Sequence, residues 1–118
     1  MKASTKDPRG LIVVFSASMV RHASDHWSSD EQVTIENLVN TCSDPDFITT
    51  NHGNSVNPRK GDELYCRAVT GSAGHILVPA KRELVRLPDG SEAEAMTAFT
   101  CYIAAEAPLR RRLWFRKA

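Results

Sequence analysis

The chain has 118 residues, 42% hydrophobic and 25% charged, with six glycines and six prolines. That length and apolar content suit one domain (1–118) around one core and exclude a disordered chain. A formal net charge of +1 excludes a molecule steered as a whole toward polyanions, and no apolar run approaches the ~20 residues of a membrane span.

Met1–Gly10 is polar and interrupted by Pro8 and Gly10, which predicts a flexible arm over 1–10. Leu11–Val20 then gathers Leu, Ile, Val, Phe and Met into one short run, the composition of a central strand buried on both faces. Asp7 and Pro8 before the run and Arg21 after it argue against a secretory leader. Arg21–Ser29 reads as a solvated connection, with Trp27 packing on the core edge. Ser29 and Gln32 are spaced as a capping box, and Ile35, Leu38, Val39 and Cys42 recur at helical spacing. The main helix is therefore expected over 30–42, ended by Ser43-Asp44-Pro45 because the ring of Pro45 forces its predecessor out of helical geometry.

Thr49–Gly61 holds Asn51, Asn54 and Asn57, two glycines and Pro58, a density of turn formers that predicts a long loop. A structureless segment of this length is a candidate binding surface, with Asn51, His52, Asn54, Asn57 and Arg59 as its contact residues. Asp62–Thr70 alternates as a strand, and Gly71–Gly74 looks like the bend of a hairpin returning through His75–Val78. Pro79 is expected to separate that return from a further strand over Arg82–Leu87, and Leu87-Pro88-Asp89-Gly90-Ser91 suits a tight turn. Residues 93–104 carry two patterns. Alternation of Ala95, Thr97, Phe99, Cys101 and Ile103 favours a strand, while Met96, Phe99 and Ile103 behind a capping box at Ser91–Glu94 argue for a helix. The strand reading gives an α+β domain: a mostly antiparallel sheet of four to five strands packed against one main helix.

Cys42, Cys66 and Cys101 match no redox or zinc spacing and leave one thiol over whatever bridge is drawn, which points to a reducing compartment, taken as cytoplasmic. Cys66 and Cys101 lie in apolar alternating runs, where burial makes a thiol inert, and Cys42 meets the negative end of the helix dipole. His22 and His26, with Asp25, could face one metal ion if helical, but Ala23 stands where a zinc-protease helix needs its glutamate. A third ligand would have to come from His52, His75 or a cysteine. The Gly71–Gly74 bend lacks the lysine of a phosphate loop, and the pairs Asp44/Asp46 and Asp62/Glu63 read as solvated acids beside turns. No metal and no cofactor is expected.

The most distinctive segment is the last. Residues 1–109 carry a net −4, and 110–118 carry +5 from Arg110, Arg111, Arg112, Arg116 and Lys117, interleaved with Trp114 and Phe115. Arginine forks and planar rings suit an acidic protein surface or single-stranded nucleic acid. The alternative is that Leu113, Trp114 and Phe115 anchor the terminus while the arginines pair with the acidic body. The leading expectation is a non-catalytic intracellular binding or accessory protein acting on a protein partner through the Asn-rich loop, the basic-aromatic segment 109–118, or both. Nucleic-acid binding through Arg110–Arg112, Trp114, Phe115, Arg116 and Lys117 is the second reading, and an unfamiliar enzyme with a pocket built on His22, His26, His52 or His75 the third. The composition also leaves room for a homo-oligomer.

Overall fold

A computed structural model of the chain describes residues 2–27, 30–51, 62–69, 74–104 and 113–116. The elements run β1 (Ala3–Lys6), β2 (Ile12–Phe15), α1 (Ala17–Trp27), α2 (Glu31–Ser43), β3 (Phe47–Asn51), β4 (Asp62–Ala68), β5 (His75–Arg86), β6 (Glu92–Ala98), β7 (Tyr102–Ala104) and β8 (Leu113–Arg116). Seven strands form one sheet in the order β1-β2-β6-β5-β4-β3-β8, and β7 pairs with β5 off this path. Every pairing is antiparallel except β2 with β6, where Ile12 lies beside Ala95 and Phe15 beside Ala98. The class is α+β as expected, with more strands than four to five and a second helix.

Strand alternation decides which side chains reach the helices. Val13 and Phe15, Met96 and Ala98, Val78 and Ala80, Tyr65, and Ile48 share one face. Met19, Val20 and Ala23 of α1 and Leu38 and Cys42 of α2 close over it. Burying a Phe15 or Leu38 side chain stabilises the domain by about 1.5–3 kcal/mol each. A smaller cluster of Phe47, Leu64, Cys66 and Leu77 fills the opposite face.

The stretch read as one strand over 11–20 divides at Ser16, whose side chain accepts from the Met19 N–H at 3.1 Å and starts α1. Arg21–Trp27 is therefore helical, not a solvated connection, because Met19, Val20 and Ala23 supply an apolar stripe narrow enough to be hidden among polar residues. β2 is second from the edge, since Ala3–Lys6 of the supposed arm pairs with it. α2 matches the expected helix within a residue at each end. Its cap is Asp30, which accepts from the Val33 N–H at 2.8 Å; Ser29 lies outside the described residues, as do Gly71–Ala73 of the expected hairpin bend.

Pro79 does not separate two strands; it sits inside the twelve-residue β5. Its ring nitrogen faces the side where β6 has ended at Ala98 and β7 has not begun, so no ladder bond is lost. Its carbonyl still accepts from the Phe99 N–H at 3.2 Å. Residues 93–104 follow the strand reading, divided into β6 and β7 by this crossing. The β5–β6 turn is the expected one: Gly90 has φ +87°, the Leu87 N–H donates to the Ser91 carbonyl at 2.7 Å, and Asp89 accepts from the Ser91 N–H at 2.9 Å. Hydrogen bonds from the Ser91 hydroxyl and N–H hold the Asp89 carboxyl below its ordinary range.

Candidate functional site

Strand directions bring several segments to one rim of the sheet. The β1–β2 turn (7–11), the end of β3 at Asn51, the start of β4 at Asp62, the start of β8 at Leu113 and the outgoing half of β5 all lie there. Asn51 is opposite Asp62 in register, so it closes β3 and does not belong to the loop. His52, Asn54, Asn57 and Arg59 lie outside the described residues, as do Arg110, Arg111, Arg112 and Lys117. The chain leaves the rim after Asn51, returns at Asp62 and enters β8 at Leu113. Both segments that the sequence marks for binding therefore attach to this rim.

The C-terminal segment is not one free peptide. Leu113–Arg116 adds to β3 as an edge strand, with Ile48 beside Phe115 and Phe47 beside Arg116, and Phe115 packs half-buried on the helix-side core. β8 therefore divides the basic run in sequence, with Leu113 at the rim and Arg116 at the opposite end. Four strand residues at roughly 3.3 Å each put about 13 Å between those ends.

Inside the rim lies a chain of ion pairs that the sequence did not reveal. The Asp7 carboxylate is buried, and its Oδ1 accepts from the backbone N–H groups of Arg9 at 2.8 Å and Leu11 at 3.1 Å. Its Oδ2 accepts from the Tyr65 hydroxyl at 2.7 Å and from Arg9 Nη2 at 2.8 Å. The Arg9 Nη1 continues to Glu63 Oε1, and Arg82 Nη2 reaches Glu63 Oε2 at 3.1 Å. Arg82 Nη1 then meets Glu94 Oε1 at 3.0 Å. Glu63, read as a solvated acid, is 1% exposed, because alternation from Tyr65 turns it onto the helix face of β4. Burial opposes the Arg9 charge, but the hydrogen bonds that Arg9 donates to Asp7 and Glu63 more than restore it, and its pKa stands above the ordinary value. Burial, then the hydrogen bond to Asp7, raises the Tyr65 phenol well above its usual range. The legible signal was Glu-x-Tyr at strand spacing; the Asp7 half was concealed by its position in a polar turn.

Elsewhere the titratable groups are dispersed. His22 and His26 do share α1, four residues apart, and His22 lines an open cleft of about 500 Å³ with Ser16, Ser18, Met19, Thr97, Ala98 and Phe99. On β5 the ring of His75 has its Nδ1 buried without a hydrogen-bond partner among the described residues. Among the described residues no three His, Cys, Asp or Glu side chains gather closely enough to hold a metal ion. Burial raises all three thiols: Cys66 to about 12, and Cys42 and Cys101 well above the usual range. No family model matches the chain, and neither a curated protein nor a solved structure matches it.

Proposed function

We propose that the protein is a non-catalytic binding protein whose rim engages an acidic protein partner. The observation that carries this reading is the attachment of two polar segments, one Asn-rich and one holding Arg110–Arg112, to the same end of a packed sheet. The chemistry of the interior supports it. Both oxygens of Asp7 and of Glu63 already accept hydrogen bonds from protein donors, so neither carboxylate is poised to take a substrate proton. The described thiols are buried and held protonated, which argues against a cysteine nucleophile. Three unpaired thiols also favour a reducing compartment, in keeping with a cytoplasmic location.

The test is affinity purification from the native cell, with and without nuclease, using the natural chain and an Arg110→Glu/Arg111→Glu/Arg112→Glu variant. The expected result is a protein recovered regardless of nuclease and lost from the variant, whose circular dichroism and melting temperature stay unchanged. Unchanged recovery by the variant would remove the rim as the contact. The arginine and tryptophan content of 110–117 favours a second reading, single-stranded nucleic acid, which nuclease-sensitive recovery and a steep salt dependence would establish instead.

A further inference from the structure

Beyond Ala80 and Ala95, β5 and β6 continue as a hairpin arm closed by the Leu87–Ser91 turn. At its tip stands Asp89-Gly90, and no other aspartate in the chain is followed by glycine. Such a bond is open to attack by the glycine nitrogen on the aspartate's own side-chain carbon, because glycine has no Cβ to stand in the way. Here the carboxylate is folded over that bond. Its Oδ1 accepts from the Ser91 N–H at 2.9 Å and from the Ser91 hydroxyl at 2.5 Å, which closes a ring around Gly90. The turn is exposed, and no described residue beyond the two chain neighbours lies within 4 Å of where a Gly90 side chain would stand. Two bonds restrain the reaction. The Gly90 N–H is engaged with the Leu87 carbonyl at 2.9 Å, and the Ser91 hydroxyl favours the ionised carboxylate, which has no hydroxyl to expel.

We propose that Asp89-Gly90 is a modification site, converted in the folded chain to an isoaspartyl linkage at a rate set by the Ser91 hydroxyl. The step needs no outside reagent. The Gly90 nitrogen gives up its proton and bonds to Cγ of the neutral Asp89 carboxyl, whose hydroxyl departs; one water leaves and a five-membered succinimide remains. Water then adds back to the ring. Where it breaks the bond between the Gly90 nitrogen and the Asp89 main-chain carbonyl carbon, the chain runs on through Cγ and that carbonyl becomes a free carboxylate. No electron is transferred, and the water consumed equals the water released. Ser91 acts as a positioning residue, since its hydroxyl donates to the ionised form and keeps the reactive neutral form scarce. The Asp89 carboxyl is accordingly held below its ordinary range, and the hydroxyl is the larger cause. The product adds one methylene to the main chain inside the turn, so the bond from the Leu87 N–H to the Ser91 carbonyl at 2.7 Å loses its register. The arm thus holds a slow, one-way change in its own closure.

The test is incubation of the full chain for several weeks at neutral pH under reducing conditions, with chromatographic separation of isomeric forms of the tryptic peptide 87–110. A second form of equal mass, its altered bond placed at residue 89 by fragmentation, is expected to accumulate. Ser91→Ala keeps the N–H and the turn but removes the hydroxyl, and should raise the rate about two- to tenfold, the factor that one hydrogen bond of ordinary net strength contributes. Asp89→Asn closes the same ring by expelling ammonia and has no ionised form. On that background Ser91→Ala should leave the rate unchanged, whereas a turn merely loosened by the substitution would speed both. Absence of a second form from both the natural chain and Ser91→Ala, or equal rates in the two, would overturn the proposal. So would an acceleration of the same size on the Asp89→Asn background.

Discussion

The root and the tip of the β5–β6 arm carry the same residue types in the same alternation. At the root, Arg82 reaches Glu63 at 3.1 Å and Glu94 at 3.0 Å, and Glu63 in turn holds Arg9. At the tip, Arg86 and Glu92 lie opposite each other with no ion pair, and Leu84 between the two arginines is exposed. The difference comes from the neighbours. β4 and the Asp7 turn flank the root and bury Glu63, so that carboxylate must be matched, while Arg82 and Glu94 stay in contact with water. No described strand flanks the tip, and its charges remain hydrated.

If the root is structural, removing Glu63 should have the largest effect of any single change at this rim. Glu63→Ala leaves the Arg9 guanidinium without one of its two carboxylates in a largely buried position, and a loss of about 3–5 kcal/mol in urea unfolding is expected. A loss below about 1 kcal/mol would put root and tip in the same class.

Alkaline pH should act on the buried side alone. The Tyr65 phenol and the Cys66 thiol have folded values above their ordinary ones, so their contribution is whole below about pH 9. It is lost as the pH rises through the unfolded values toward the folded ones, about 12 for Cys66. The urea midpoint under reducing conditions should fall steadily between pH 9 and 11, and Tyr65→Phe should flatten part of that slope. A level midpoint would contradict the burial of both groups.

At the tip, effects on stability should be smaller. Gly90→Ala forces a side chain into φ +87°, a cost of about 1–2 kcal/mol that a lowered melting temperature would register. Leu84→Ser should fall within about 0.5 kcal/mol of the natural chain in the same assay, because the side chain it removes is already hydrated. A larger loss would mean that Leu84 packs on the body.

How much of this was legible follows from where the physics is local. α2, its stop before Pro45 and the Gly90 turn were readable because caps, helical spacing and turn residues act within a few positions. α1 was missed because only Met19, Val20 and Ala23 face the core, too few to stand out among Arg21, His22 and Ser24. β1 was taken for an arm because Ala3–Lys6 lacks large apolar residues and is ordered by its partner β2. For the site, the sequence supplied both polar segments but not their meeting at one rim, which depends on strand order. The Asp7–Arg9–Glu63–Arg82 chain was invisible for the same reason, since its members are brought together by β2, β6, β5 and β4 lying side by side. The basic C-terminal segment drew attention to its charge, while the alternation of Leu113 and Phe115 that makes it a strand went unread.

The single parallel pairing, Ile12–Phe15 beside Ala95–Ala98, governs how this molecule can be born. On the ribosome the β1–β2 hairpin emerges before its seat in the sheet, which exists only once Ala95–Ala98 has been translated, about 80 residues later. At ~5–20 residues per second that is a delay of several seconds. Through that interval Ile12–Phe15 is paired on one edge only, with Ala3–Lys6, and its other edge waits for Ala95–Ala98.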